Sequence, residues 1–209
     1  MKNKFVIGYY NLANFVTLSG LACSLLACFM IKNGNMFLAM LCLCLAALCD
    51  AMDGRIARAT PSVSKKGRFY GVQLDSLCDM VSFGAVPCFV AYQMGYNGTL
   101  DILLYMLFVI CGAIRLANFN TDAASEGEPV RVKYFTGIPI PFSAVLFPLL
   151  AIVHMLAGHL FILFRLVFLF VGLGYILRIR VPKPSGKAQL IIGGYLLACL
   201  VAILIIQLV

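Results

Sequence analysis

The sequence predicts an all-α fold, a polytopic bundle in which about six to eight helices cross a membrane. Of its 209 residues, 63% are hydrophobic and only 11% are charged, and the mean hydropathy is +1.00. The apolar residues come in blocks of about 17 to 23, long enough to cross a hydrocarbon core of roughly 30 Å as helices. These observations indicate an integral membrane protein with a single domain over residues 1–209.

Seven apolar segments, separated by polar or turn-forming residues, are the predicted spans. The link at residues 157–159 is so short that it is also compatible with a re-entrant turn. Such a turn would change the side of the membrane on which the later loops lie. The predicted spans are 14–31, 35–57, 73–96, 100–119, 138–157, 160–178 and 188–208.

The positive charge of the chain lies in alternate loops, and this alternation predicts the orientation. Cytoplasmic loops carry the excess of Lys and Arg, so we expect the N-terminus and the loops at 65–68, 131–133 and 178–187 to be cytoplasmic. A bacterial cytoplasmic membrane is the expected location. The net charge of +8 then reflects topology and attraction to anionic headgroups of the lipid bilayer, and it gives no reason to expect a nucleic-acid partner.

Half of the acidic residues fall at the cytoplasmic ends of the second and third spans. The chain has eight Asp and Glu residues, and four of them lie in this window. On the second span two Asp residues share a face with Gly54 and Ala57, because a helix advances about 100° per residue. On the third span the two Asp residues are four positions apart and stack on one side, so we expect the pairs to meet. The four are Asp50, Asp53, Asp75 and Asp79.

Four carboxylates at one place in a membrane protein predict a metal site. Ionisable side chains inside membrane helices are costly and usually functional, and carboxylates this close repel one another unless cations lie between them. Oxygen-only ligands favour Mg²⁺, Mn²⁺ or Ca²⁺ over zinc. The alternative is a solvated rim neutralised by nearby Arg and Lys, but a rim would scatter its acids and would use Glu as freely as Asp.

Small residues and an arginine beside the carboxylates indicate that the site also binds a diphosphate. A bulky ligand can approach a helix backbone only where side chains are small, as at Gly54 and Ala57, although the same residues also suit tight helix packing. Arg58 lies next to that face, near enough to bind a phosphate while metal neutralises its other oxygens. Metal, arginine and small residues together predict a pyrophosphate site.

The spacing of these residues resembles the signature of the CDP-alcohol phosphotransferase family. The matching pattern is Asp50-x2-Asp53-Gly54-x2-Ala57-Arg58, then Gly71-x3-Asp75-x3-Asp79. The chain departs from the family in the 12 residues between Arg58 and Gly71, a longer interval than is usual there. Four further stretches resemble the members of the family that use L-serine as the acceptor. These are NLANFVTLSG, LDSLCDMVSFGAVP, AIRLANFN and YFTGIPIPFSA, which begin at residue 11 and end at residue 144.

The resemblance implies a reaction and a set of roles. The phosphatidyl group of CDP-diacylglycerol would pass to L-serine, giving phosphatidylserine and CMP, in a homodimer that requires a divalent metal, Mg or Mn, with Ca as a further candidate. Asp50, Asp53 and Asp75 would be the principal metal ligands. Asp79 would deprotonate the serine hydroxyl and could also contact a metal. For Asn14 the alternative to nucleotide binding is a helix cap. The residues implied for CDP-diacylglycerol binding are Asn14, Thr17, Gly54, Ala57, Arg58 and Gly71.

A second polar group, near the cytoplasmic end of the fourth span, is the candidate serine-binding site. Arg115 lies in the apolar stretch AIRLANFN, where a buried cation needs an anionic partner such as the carboxylate of serine. Asn118 follows one turn later, and Lys133 and Thr136 approach from the loop ahead of the fifth span. Alternatively, Arg115 only marks the cytoplasmic boundary of its span.

Two other functions are compatible with the same residues. One is another member of the family, with glycerol 3-phosphate, inositol or choline as the acceptor. The other is a cation transporter whose four Asp residues form the ion site. Transporters usually place such sites near the bilayer midplane, whereas Asp50 and Asp75 lie at the cytoplasmic ends of their helices, and the charge of Arg58 opposes the passage of cations.

Overall fold

A computed structural model describes residues 7–60, 64–125, 134–182 and 186–208. These residues form eight α-helices, one π-helical segment and two short strands. The helices are α1 Leu12–Lys32, α2 Met36–Ala59, α3 Lys65–Asp79, α4 Val86–Gln93, α5 Thr99–Ser125, α6 Phe142–Ala157, α7 Phe161–Ile176 and α8 Gly186–Leu208. The π segment is Met80–Ala85, and the strands are β1 Tyr134–Thr136 and β2 Arg180–Pro182.

The structure confirms an all-α bundle with apolar helices in the predicted positions. Five helical stretches of the described chain are long and apolar enough to cross a membrane, and α6 and α7 are shorter apolar helices of 16 residues each. Sixteen residues span only about 24 Å, less than the roughly 30 Å of a hydrocarbon core. The five long stretches are Leu12–Lys32, Met36–Ala59, Lys65–Gln93, Thr99–Thr121 and Ala188–Leu208.

The first three helices begin at polar residues whose side chains satisfy free backbone N–H groups. Asn11 caps α1 by accepting a hydrogen bond from the N–H of Asn14 at 2.8 Å, so Asn14 is not the cap. Asn35 caps α2 in the same way. Ser64 caps α3, which therefore begins at Lys65, eight residues before the predicted third span.

The helices α1 and α2 pack closely along each other beside the carboxylates. A Cβ atom added at Gly20 would lie only 3.0 Å from the Cβ of Cys49, so a larger residue there would push the two helices apart. Cys49 directly precedes Asp50. The missing side chain of Gly20 thus allows α1 to form one wall of the region around Asp50.

The end of the bundle opposite to the carboxylates is fixed by an ion pair and aromatic contacts. Asp101, which is 2% exposed, accepts a hydrogen bond from Nε of Arg165 at 2.7 Å and joins the start of α5 to α7. Tyr96 stacks on Phe164 with 3.7 Å between ring centroids. The interhelical contact identifies Arg165 as a structural residue, remote from the carboxylates.

A two-stranded antiparallel ribbon, absent from the sequence prediction, joins the links that follow α5 and α7. Phe135 pairs with Val181, and the N–H of Gly137 donates to the carbonyl of Ile179 at 2.8 Å. Because the helices alternate in direction, this ribbon lies at the same end of the bundle as the Asp residues of α2 and α3. It closes the link from α5 to α6 against the end of α7.

Candidate metal and diphosphate site

Three of the four predicted carboxylates converge between α2 and α3. One carboxylate oxygen from each of Asp50, Asp75 and Asp79 lies within 4.8 Å of the other two. The carboxyl groups of Asp50 and Asp79 approach each other closely. Oδ1 of Asp75 is buried and has no hydrogen-bond partner among the described residues. The two Asp pairs therefore meet, as their helical spacing predicts.

Asp53 lies beside this group but outside its closest set. It is 6% exposed, and its Oδ2 accepts a hydrogen bond from the hydroxyl of Thr17, which also lies 3.1 Å from the carbonyl oxygen of Ala13. Thr17 was predicted to bind the nucleotide, and here its hydroxyl orients Asp53. The contact ties α1 to α2 within the site.

The carboxylates line a small cleft between four helical segments. The walls come from α1, α2, α3 and the π segment, and small residues alternate with the acids. The lining residues are Thr17, Gly20, Leu21, Ala46, Asp50, Asp53, Asp75, Cys78, Asp79, Ser82 and Phe83.

The last turns of α2 place a cation over exposed backbone near the acids. A Cβ atom added at Gly54 would lie 3.3 Å from Nη1 of Arg58, so the guanidinium folds back over the glycine. Arg58 and Ala57 are exposed. The guanidinium is therefore accessible to an anion at this turn, where the sequence predicts a diphosphate.

Asn14 and Gly71 are brought together by the contact of α1 with α3. A Cβ atom added at Gly71 would lie 3.3 Å from Oδ1 of Asn14. The amide nitrogen of Asn14 donates to the carbonyl of Tyr9 at 2.7 Å, and Asn14 is 6% exposed. The long interval between Arg58 and Gly71 includes the first six residues of α3. It therefore lengthens this helix at its start, and Asp75 and Asp79 still lie on the face directed towards Asp50.

The candidate serine-binding residues are only partly described. Arg115 is close enough to Asp79 and Tyr175 to interact electrostatically with both, and its Nε is buried without a hydrogen-bond partner in the described chain. Asn118 is exposed on α5. Thr136 belongs to β1, where only the backbone is described, and Lys133 lies outside the described residues.

A polar network that sequence reasoning missed joins α3 to α5 beside the site. Ser76 donates to Oδ1 of Asn120 at 2.8 Å, and Nδ2 of Asn120 donates to Gln73 at 3.1 Å. Ser76 directly follows Asp75. The available signal was the amide side chain of Asn120 near the end of an apolar helix, where a polar group needs a partner.

The cluster fits a hard divalent cation. Three carboxylates this close in a protein interior repel one another strongly, and a buried carboxylate oxygen without a donor is available as a ligand. The described donors are oxygen atoms, which suit Mg²⁺, Mn²⁺ or Ca²⁺. The geometry therefore agrees with the metal site expected from the sequence.

Comparison with known families identifies the class. Residues 10–177 match the family model described as CDP-alcohol phosphatidyltransferase. The chain belongs to this family. The match includes all the carboxylates and ends after α7, so α8 lies beyond it.

The chain is similar to several curated enzymes that share one name, CDP-diacylglycerol–serine O-phosphatidyltransferase. The enzyme of Helicobacter pylori is 34% identical over 180 residues, which are 83% of this chain and 73% of the relative. That of Bacillus subtilis is 30% identical over 141 residues, 66% of this chain and 74% of the relative. That of Saccharomyces cerevisiae is 38% identical over 100 residues, 46% of this chain and 35% of the relative.

Replacement of Asp75 by Asn tests the cluster as a metal site. We expect Asp75→Asn to weaken Mn²⁺ binding, measured by electron paramagnetic resonance, by more than the roughly 10–100-fold that loss of an outer-shell contact costs. Membrane insertion should not change. Asp101→Asn is the control, because it removes a carboxylate at the end of the bundle opposite to the cluster. Equal Mn²⁺ affinity in Asp75→Asn and the wild type would contradict the site.

Proposed function

We propose that this integral membrane protein transfers the phosphatidyl group of CDP-diacylglycerol to L-serine, producing phosphatidylserine and CMP. The observation that carries the proposal is the convergence of Asp50, Asp75 and Asp79 in a chain of the CDP-alcohol phosphatidyltransferase family. The acceptor is inferred from relatives that are named for serine. In two of them the region similar to this chain covers most of the relative.

The depth of the cleft suits a substrate that is both lipid and nucleotide. The acyl chains of CDP-diacylglycerol remain among apolar helices, while its charged head lies at the helix ends. Arg58 would bind a phosphate oxygen, and Gly54 and Ala57 would let the diphosphate approach α2. Asn14, Thr17 and Gly71 would border the nucleotide, although the hydroxyl of Thr17 is already bonded to Asp53.

We infer that the carboxylates would hold a divalent metal, Mg²⁺ or Mn²⁺, with Ca²⁺ as a further candidate. Asp50, Asp53 and Asp75 are the proposed principal ligands, and Asp79 is close enough to be a further one. Bound metal would neutralise the diphosphate and stabilise CMP as it leaves. Thr17 keeps Asp53 in place, and α2 and α3 keep the other carboxylates together.

Asp79 is the proposed base. It would accept the proton of the serine hydroxyl as the serine oxygen forms a bond to the phosphatidyl phosphorus. The bond from that phosphorus to CMP breaks, and CMP leaves with the electron pair. The electrostatic interaction of Asp79 with Arg115, the proposed serine ligand, supports this role.

Arg115 is the proposed ligand of the serine carboxylate. Its guanidinium lies in the bundle with Nε unpartnered among the described residues, and a bidentate contact with a carboxylate would satisfy it. Asn118, Lys133 and Thr136 are proposed to complete the pocket. The proximity of Arg115 to Asp79 would bring the acceptor hydroxyl near the base.

The orientation and assembly of the protein are also part of the proposal. The carboxylate end of the bundle carries exposed basic residues such as Lys65, Arg178 and Arg180, so this end would face the cytoplasm. The proposed location is the bacterial cytoplasmic membrane, and the homodimer stays a prediction from family resemblance. Because the chain belongs to a transferase family, the alternative hypothesis of a cation transporter is no longer needed.

The acceptor can be tested directly on the purified protein in detergent. With CDP-diacylglycerol and Mn²⁺ or Mg²⁺ present, we expect CMP release when L-serine is added. Glycerol 3-phosphate, inositol and choline, added separately, should release little. If CMP release is fastest with one of these three, that alcohol is the acceptor instead of serine. If none of the four releases CMP, the proposed transferase activity is wrong.

Removal of the proposed base separates chemistry from binding. Asp79→Asn is nearly isosteric but cannot accept the proton, so we expect kcat for CMP release to fall by about 10²–10⁴. Binding of CDP-diacylglycerol, measured with labelled lipid, should be retained. If binding disappears together with turnover, Asp79 acts first as a metal ligand.

A conservative change at Arg115 tests the serine pocket. Arg115→Lys keeps the charge but loses bidentate geometry, so we expect the KM for serine to rise at least about tenfold, which corresponds to about 1.4 kcal/mol. The KM for CDP-diacylglycerol should change little. Arg178→Lys, an exposed change at the same end of the bundle, is the control. An unchanged serine KM in Arg115→Lys would remove Arg115 from the pocket, and a matching rise for the lipid would reassign it to the diphosphate.

A further inference from the structure

The helix that carries Asp75 and Asp79 changes its winding immediately after Asp79. The chain is helical from Lys65 to Gln93, but Met80–Ala85 is a π-helix. A π turn contains more residues than an α turn, and isolated π turns are frequent at functional sites. The geometry of this turn therefore determines how the end of α3, and with it the side chain of Asp79, is rotated about the helix axis relative to α4.

The sequence explains why the turn needs support from other helices. Pro87 in the first turn of α4 has no N–H, so the carbonyl four residues earlier, that of Phe83, loses its ordinary α-helical donor. Phe83 is 1% exposed. A buried carbonyl without a donor is costly, so a hydroxyl of a neighbouring helix that donates to this oxygen would stabilise the turn.

Ser143 supplies that donor from α6. Its hydroxyl donates to the carbonyl oxygen of Phe83, with 2.8 Å between the oxygens, and lies 3.1 Å from the carbonyl oxygen of Ile140. Ser143 is 1% exposed, so water does not compete for the bond. This hydrogen bond joins α6 to the π segment at the atom that Pro87 leaves without its helical donor.

A second buried hydroxyl joins the π segment to α1. The Oγ atoms of Ser24 and Ser82 are 2.8 Å apart, and Ser24 also donates to the carbonyl of Leu21 at 2.8 Å. Either hydroxyl can be the donor within the serine pair. Ser24 has no exposed surface. The helix α1 thus has two contacts near the site. Ser24 contacts the π turn, and Thr17 contacts Asp53.

The first side chain of the π turn is seated on two glycines. A Cβ atom added at Gly84 would collide with Cε of Met80, and one added at Gly112 of α5 would lie 3.3 Å from the same atom. Gly112 lies three residues before Arg115. Three neighbouring helices, α1, α5 and α6, therefore contact the turn that follows Asp79.

We propose that Ser24 and Ser143 are positioning residues that hold the π turn and, through it, the carboxyl group of Asp79 at the cleft. Neither residue lines the cleft, so both act through the winding of the helix. The effect on catalysis rests on the proposed function. The placement of Asp79 beside Asp50 and Asp75 is a geometric consequence that is independent of the acceptor.

The test removes each hydroxyl with little change in volume. For Ser24→Ala and Ser143→Ala we expect kcat for CMP release to fall about tenfold, the lower end of what loss of outer-shell support costs a metal site. The KM for CDP-diacylglycerol should not change. The Kd for Mn²⁺, measured by electron paramagnetic resonance without substrate, should rise about tenfold. Ser143→Cys retains a weaker donor and should give intermediate values.

Ser19→Ala is the matched control, because the hydroxyl of Ser19 donates to the carbonyl of Phe15 within α1. It should leave kcat and Mn²⁺ affinity unchanged. Wild-type kcat and Mn²⁺ affinity in Ser24→Ala and Ser143→Ala would overturn the proposal. A raised lipid KM at unchanged kcat would also overturn it, since the serines would then support the lipid site. If Ser143→Ala does not fold, Ser143→Cys and Ser24→Ala decide by the same criteria.

The two measurements separate this proposal from the proposed function. A wild-type protein that binds Mn²⁺ but releases no CMP contradicts the proposed function, and the Mn²⁺ affinities of the variants then decide whether the serines position Asp79. A wild-type protein that releases CMP, with variants equal to it in both kcat and Mn²⁺ affinity, contradicts only the positioning role.

Discussion

Mutual repulsion of carboxylates inside an apolar bundle is the constraint that the rest of the site depends on. Asp50, Asp75 and Asp79 converge within 4.8 Å, and packing of the helices must oppose their separation. The bundle supplies the packing through close contact of α1 with α2 at Gly20. It supplies orientation through the hydroxyl of Thr17, which holds Asp53. The negative potential that results is what would attract a divalent metal.

Polar side chains in the interior are satisfied almost everywhere except at the site. Ser76 and Asn120 bond to each other, and Asp101 bonds to Arg165. Within the described ranges, the buried side-chain atoms without a partner are Oδ1 of Asp75 and Nε of Arg115. Native proteins rarely leave such groups unpaired. The two exceptions have opposite charges and belong to residues that interact with the carboxylate cluster, which is where a metal and an anionic acceptor would be needed.

Local patterns in the sequence predicted the helices and the meeting of the acids, because helical spacing determines which residues share a face. Features that depend on pairing between distant residues were not predicted. The ribbon joins strands of three residues whose partners lie far apart in the chain. The cap of α1 is Asn11, although Asn14 has the same side chain. The π turn did have a local signal, because Pro87 interrupts the hydrogen bonding of an otherwise continuous helix.

The contacts between α5 and α7 make these two helices a rigid pair. Asp101 and Arg165 join them near one end, and further along Gly172 allows a close approach, because a Cβ atom added there would lie only 3.2 Å from Cα of Phe108. Arg115 and Tyr175 must then move together, while the carboxylates belong to α2 and α3. Because Asn120 of α5 also bonds to Ser76 of α3, a rotation of this pair would change the distance from Arg115 to Asp79 and would also act on the helix that carries Asp75. The size of the space for an acceptor molecule is thus coupled to the geometry of the metal site.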